Sequence, residues 1–186
     1  MKQGGPDGLA AAVRLGDLGF ALRPRHGWRS LVLAAGLGLA FGAYMAMADL
    51  TVFSGIIPPV QTTMLAQNSL AERLLFFARG ALLDELEYRL IALTAIAWGL
   101  SKLAQRSVRA ATWAAILLTA LIIYPLGNWA YFRDLDPSAL TLLRELALHG
   151  AAGTLWGWLY WRHGWLSGLT GHVAAHLSLQ PLLGAL

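Results

Sequence analysis

The segment Leu82-Leu83-Asp84-Glu85-Leu86-Glu87-Tyr88-Arg89-Leu90 sets three carboxylates and one guanidinium into an otherwise apolar run. A second apolar run, Gly171-His172-Val173-Ala174-Ala175-His176, carries two imidazoles. Carboxylates and imidazoles are the side chains that most often move protons in hydrolysis, so the pair of segments suits acid–base chemistry on a bound water. On a helix, Glu85 and Arg89 are four residues apart, share a face and stand in the order that favours an ion pair. Asp84 faces partly sideways and Glu87 lies far round. His172 and His176 also share a face, ~6 Å apart along the axis at 1.5 Å per residue, and Gln180 extends that stripe by a turn. His149 is a further candidate, although a core histidine bonded to a backbone carbonyl is its plainer reading. His-x-x-x-His with a carboxylate from another helix could hold zinc. The sequence lacks His-Glu-x-x-His, which would set a general base beside the ligands, and we expect neither a metal nor a cofactor.

The elements that must position these groups are set by composition. Of 186 residues, 57% are apolar and 13% charged, about half the charged share of a soluble domain. A small soluble chain exposes most of its surface, and this one lacks the polar cover for that. The reading is therefore an all-α, polytopic transmembrane helical bundle of about five spans plus interfacial helices. The expected spans are 30–48, 74–104, 111–128, 139–161 and 165–185, with an interfacial helix at 61–73 after the Pro58-Pro59 break. Residues 1–28 are expected to form an amphipathic or loosely ordered cytoplasmic segment, and 29–186 the transmembrane domain. The first span reads as a retained anchor with no cleavage pattern. Lys and Arg at the amino terminus, at 102–109 and at Arg162 place those stretches on the cytoplasmic side of a bacterial cell membrane. Net charge is +4, with no dense basic run, so the expected partners are membrane lipids and not nucleic acid. The chain has no cysteine, which excludes disulfides and thiolate metal sites.

At bilayer depth a charge costs at least ~2.5 kcal/mol, so Asp84, Glu85 and Arg89 need partners or a wet cavity. Asp84-Glu85-x-x-x-Arg89, with Tyr88 before the Arg, resembles the Glu-Glu-x-x-x-Arg motif of the CPBP family, the CAAX prenyl endopeptidases and bacteriocin-processing enzymes, also called glutamic intramembrane proteases. The stretch Gly157-Trp158-Leu159-Tyr160-Trp161-Arg162-His163-Gly164, followed by His172, is similar to that family's closing region, where a helix bears His-x-x-x-Asn or a variant. The middle motif, Phe-x-x-x-His, has Tyr124-Pro125-Leu126-Gly127-Asn128 as its positional counterpart. The resemblance covers residues 70–182. It implies a metal-independent intramembrane endopeptidase acting on a membrane-presented peptide or protein. Asp84 would activate the water, with Glu85 and Arg89 beside it; Asn128 would hold that water, and His172 and His176 would flank the oxyanion. Three positions depart from the family: Asp84 for Glu, Asn128 for His, and His176 for Asn. Asn128 cannot take a proton. These substitutions keep two rivals open: an inactive membrane scaffold or regulator, and a small transporter or proton-relay subunit.

One mismatch accompanies this reading. Glu85 lies ~30 Å up its helix from the 102–109 loop, while His172 lies only ~12 Å beyond the 162–164 turn. Their depths agree only if that turn sits inside the bilayer or the second helix tilts strongly. The aromatics Trp156, Trp158, Tyr160, Trp161 and Trp165 read as an interfacial girdle. Gly36, Gly38, Gly42, Gly150, Gly153 and Gly157 read as close-packing positions.

Overall fold

A computed structural model describes residues 18–103 and 107–185. Every regular element among them is helical. Helix α1 is Trp28–Thr51. After a short 3₁₀ turn at Ser54–Ile56 comes α2, Pro59–Gln67, with proline at its first position, where its missing N–H costs nothing. Helix α3 joins Leu70–Asp84, a π-helical stretch Glu85–Leu93, and Thr94–Leu103. Helix α4 joins Val108–Leu118, π-helical Thr119–Ile123 and Tyr124–Gly127. A short α5, Trp129–Arg133, precedes α6, which joins Ala139–Glu145, π-helical Leu146–Gly150 and Ala151–His163. The last helix, α7, is Trp165–Leu183.

The five long helices coincide in sequence with the five apolar segments expected to be helical. Two of them, Trp28–Thr51 and Val108–Gly127, are long and apolar enough by length and composition to cross a membrane. The expected interfacial helix at 61–73 is divided. Its first part is α2, and Ser69 then caps a new helix: the Ser69 hydroxyl accepts from Glu72 N, while Glu72 Oε2 accepts from Ser69 N at 2.8 Å. This reciprocal box satisfies two donors that a helix start otherwise leaves open.

Helix α1 lies along α7. A Cβ on Gly38 would stand 2.9 Å from Ala174 Cβ, and one on Gly42 would strike the Ala175 carbonyl, so the backbones approach as only glycine permits. Gly36 has open space and takes no part. On the far side, Gly157 of α6 admits Ile116 and Leu93, and Gly153 admits Ala120.

Residues 18–27 form an ordered strap over the α6–α7 turn. Leu18 is buried, Phe20 stacks on Tyr160 at 4.7 Å, and the carbonyls of Ala21 and Leu22 accept from Trp165 N and Leu166 N at 2.8 and 3.2 Å. The strap therefore caps the start of α7, whose first N–H groups have no partner within the helix. Gly164 makes the turn at φ +97°, with the Arg23 carbonyl against the place where a Cβ would be. Of the segment 1–28, expected to be amphipathic or loosely ordered, residues 1–17 lie outside the described residues, as does Arg106 of the basic loop.

The expected aromatic girdle is also corrected. Trp156, Tyr160 and Trp161 are core residues, and Trp165 turns its indole N–H inward.

Candidate active site

Glu85 is fully buried at the start of the α3 π-helical stretch. Its Oε1 meets Arg89 Nε at 3.5 Å and His172 Nδ1 at 3.1 Å, so one carboxylate joins both sequence motifs. The Glu85 carbonyl accepts from Trp165 Nε1 at 2.9 Å. A Cβ on Gly168 would lie 2.9 Å from Glu85 Oε2, so the absence of a side chain there leaves room for the carboxylate. These contacts bring Glu85 and His172 to one level of the bundle. The α6–α7 turn packs beside the middle of α3, and Thr94–Leu103 continues past it together with the start of α4.

The imidazoles stand in an aromatic column. Phe77 stacks on His176 at 4.7 Å, His176 on His172 at 5.4 Å, and His172 on Trp156 at 5.6 Å. Stacking fixes the ring planes, and the Glu85 carboxylate fixes one nitrogen of His172.

Asp84, Arg89, Asn128, His149, His172 and His176 all line one cavity of about 460 Å³. That is the size range of a small-ligand pocket. Asp84 makes no side-chain hydrogen bond to any described residue, so its carboxylate is the group available to whatever the cavity holds. Glu87 is exposed and takes no part. Asn128, at the end of α4, donates from Nδ2 to Tyr88 Oη at 3.0 Å and to the Tyr124 carbonyl at 3.1 Å. Its amide oxygen accepts no hydrogen bond from a described residue. The middle of the wall is apolar, with Met45, Met64, Phe76, Ala81 and Leu179.

At the other end of the same cavity lies a second polar network that sequence reasoning missed. Arg144 of α6 grips Asp49 of α1 with two parallel bonds, Nε to Oδ1 at 2.7 Å and Nη2 to Oδ2 at 2.8 Å. It also donates to Glu145 Oε1 at 2.6 Å and to Gln61 Oε1 of α2 at 3.0 Å. Gln61 in turn donates to Asp49 at 3.1 Å, and Tyr131 of α5 to Glu145 at 3.1 Å. The free oxygen of Glu145 meets His149 Nδ1 at 2.5 Å. The plainer reading of His149, a backbone-bonded core histidine, is therefore corrected: its partner is a carboxylate. The i, i+4 spacing of Glu145 and His149 was the available signal.

No family model, no curated protein and no solved structure matches the chain.

The arrangement provides a carboxylate and an amide on one cavity and two imidazoles, His172 and His149, each held by a buried carboxylate. Such a set can abstract a proton from water at one wall and return one at the other. Among the described residues no three histidine or carboxylate side chains converge on a point where a metal ion would sit.

Proposed function

We propose that this chain is a five-span membrane protein of the CPBP type and that its cavity hydrolyses a peptide bond of a membrane-presented substrate. The five-span reading is supported by large apolar side chains facing outward on the long helices, among them Val32, Leu75, Ile91, Ile122, Leu142 and Leu177. Water would penalise so continuous an apolar exterior, and lipid does not. The orientation has the amino terminus in the cytoplasm. The 49–72 and 129–138 stretches then face outward, and so does the cavity end held by Asp49, Gln61 and Tyr131.

The observation that carries the catalytic reading is the shared cavity: Asp84 and His172, from the two motifs, line it together, with the buried Glu85–Arg89 pair between them. In the proposed reaction Asp84 takes a proton from a water held by Asn128. The water oxygen bonds to the scissile carbonyl carbon, and the carbonyl π pair moves onto its oxygen. When that pair returns, the C–N bond breaks and the amine leaves with a proton from His149, which Glu145 aligns. A scaffold would be expected to close its charges on one another, and Asp84, half-buried on the cavity wall, makes no such pair.

The test is cleavage of a library of apolar peptides by the purified protein in lipid nanodiscs, read by mass spectrometry. Cleavage lost on His172→Ala and undisturbed by chelators is the expected result. Cleavage that chelators abolish would move the reading to a metal enzyme, and its absence across the library would remove it.

A further inference from the structure

The two buried guanidinium groups of the cavity are paired very differently. Arg144 gives its donors to Asp49, Glu145, Tyr131 and Gln61. Arg89 is also buried, at 4% exposure, yet its polar contact among the described residues is Nε to Glu85 at 3.5 Å, and Nη1 has no partner. Buried polar groups are almost always hydrogen-bonded, and a buried cation most of all. Arg89 lines the cavity, and its other terminal nitrogen lies beside Gly153 of α6, 3.5 Å from where a Cβ there would stand.

We infer that Arg89 is the group that binds the scissile carbonyl oxygen and holds the negative charge it acquires when water adds. For the reaction this rests on the peptidase reading above; the site itself is one for a tetrahedral anionic oxygen. The role differs from the one the family resemblance gives to His172 and His176. His172 commits Nδ1 to Glu85, and the His176 ring is enclosed between Phe77 and His172. A guanidinium is charged at every working pH and offers a planar fork of donors. As Asp84 takes the water proton, one negative charge passes from its carboxylate to the substrate oxygen, and Arg89 stands where that charge arrives. Glu85 acts through Arg89, fixing its Nε while leaving the far edge of the fork for the substrate.

The probe is a phosphinate pseudopeptide with apolar side chains on both sides of its PO₂⁻ group, compared with the amide of the same sequence. Binding to the full chain in nanodiscs is followed by tryptophan fluorescence. The wild type is expected to prefer the phosphinate by about a hundredfold, the size of effect that one oxyanion donor supplies. Glu85→Gln should keep that preference, because Arg89 remains. The double variant Glu85→Gln/Arg89→Gln, which leaves no unpaired buried charge, should lose it, with the phosphinate weakened about a hundredfold and the amide far less. No preference in the wild type, or equal loss in the single and double variants, overturns the inference. An Arg89-dependent preference in a chain that cleaves no peptide sustains the site and removes the peptidase reading. Cleavage without that dependence does the reverse.

Discussion

Arg144 is the residue on which one end of the cavity hangs. Its removal leaves Asp49 and Glu145 as buried carboxylates without their counter-ion. Arg144→Met is therefore expected to destabilise the protein by about 3–5 kcal/mol in detergent unfolding, whereas adding Asp49→Asn should recover part of that loss. A loss below ~1 kcal/mol, the range of an exposed ion pair, would show that the network is wet and loose. At this scale the sequence was informative where chemistry lies along one helix and silent where it lies across several. Asp84, Glu85, Arg89, His172 and His176 were visible from local spacing. Asp49 and Arg144 are 95 residues apart, and Asp49 alone reads as the polar end of a span. Gln61 and Tyr131 carry no periodicity that marks them. Only Glu145 and His149, one turn apart, had a local signal.

Helix packing and helix ends give two checks at the scale of elements. Gly38→Val should push α1 from α7 and cost about 1–3 kcal/mol, as overpacking does. Gly36→Ala, where a Cβ meets open space, should be neutral or stabilising by up to ~1 kcal/mol from helix propensity. Thermal unfolding in detergent reads both, and equal effects would contradict the assigned face. At the start of α3, hydrogen bonds from the Ser69 hydroxyl and backbone hold the Glu72 carboxyl below the usual carboxylate range. A group with a depressed folded pKa stabilises above its unfolded value and loses that contribution as pH falls through the folded one. Amide protection in the first turn of α3 should accordingly fall on acidification below about pH 4, and Glu72→Gln should abolish the dependence. The helices themselves were legible from apolar runs. The break at Asn68-Ser69 has a signature as well, the polar run Gln67-Asn68-Ser69 followed by Ser69-x-x-Glu72, which a reading by apolar runs alone does not use. The three π-helical stretches have no sequence signature. All three lie where α3, α4 and α6 meet around the site, as such stretches often do. The aromatic cluster of α6 was misread because tryptophan at a span end serves interface and core alike.

At the scale of the whole molecule, labelling tests the proposed five-span topology. The chain has no native cysteine, so single cysteines report cleanly. Lys102→Cys, at the end of α3, and Asp136→Cys, in the α5–α6 loop, both exposed, should react with a membrane-impermeant maleimide from opposite faces, Asp136→Cys from outside. Labelling of both from one face would break the five-span topology. All-helical architecture followed from composition, but the relative depth of Glu85 and His172 did not. Depth depends on where one turn docks along a neighbouring helix, which is a matter of tertiary packing. The central claim is that the unpaired carboxylate in the shared cavity activates water. Its most direct test is kcat for peptide hydrolysis by Asp84→Asn against wild type, in nanodiscs. The account expects a fall of about a thousandfold with KM little changed, since a general base contributes on that order. An Asp84→Asn enzyme that turns over at the wild-type rate would contradict it.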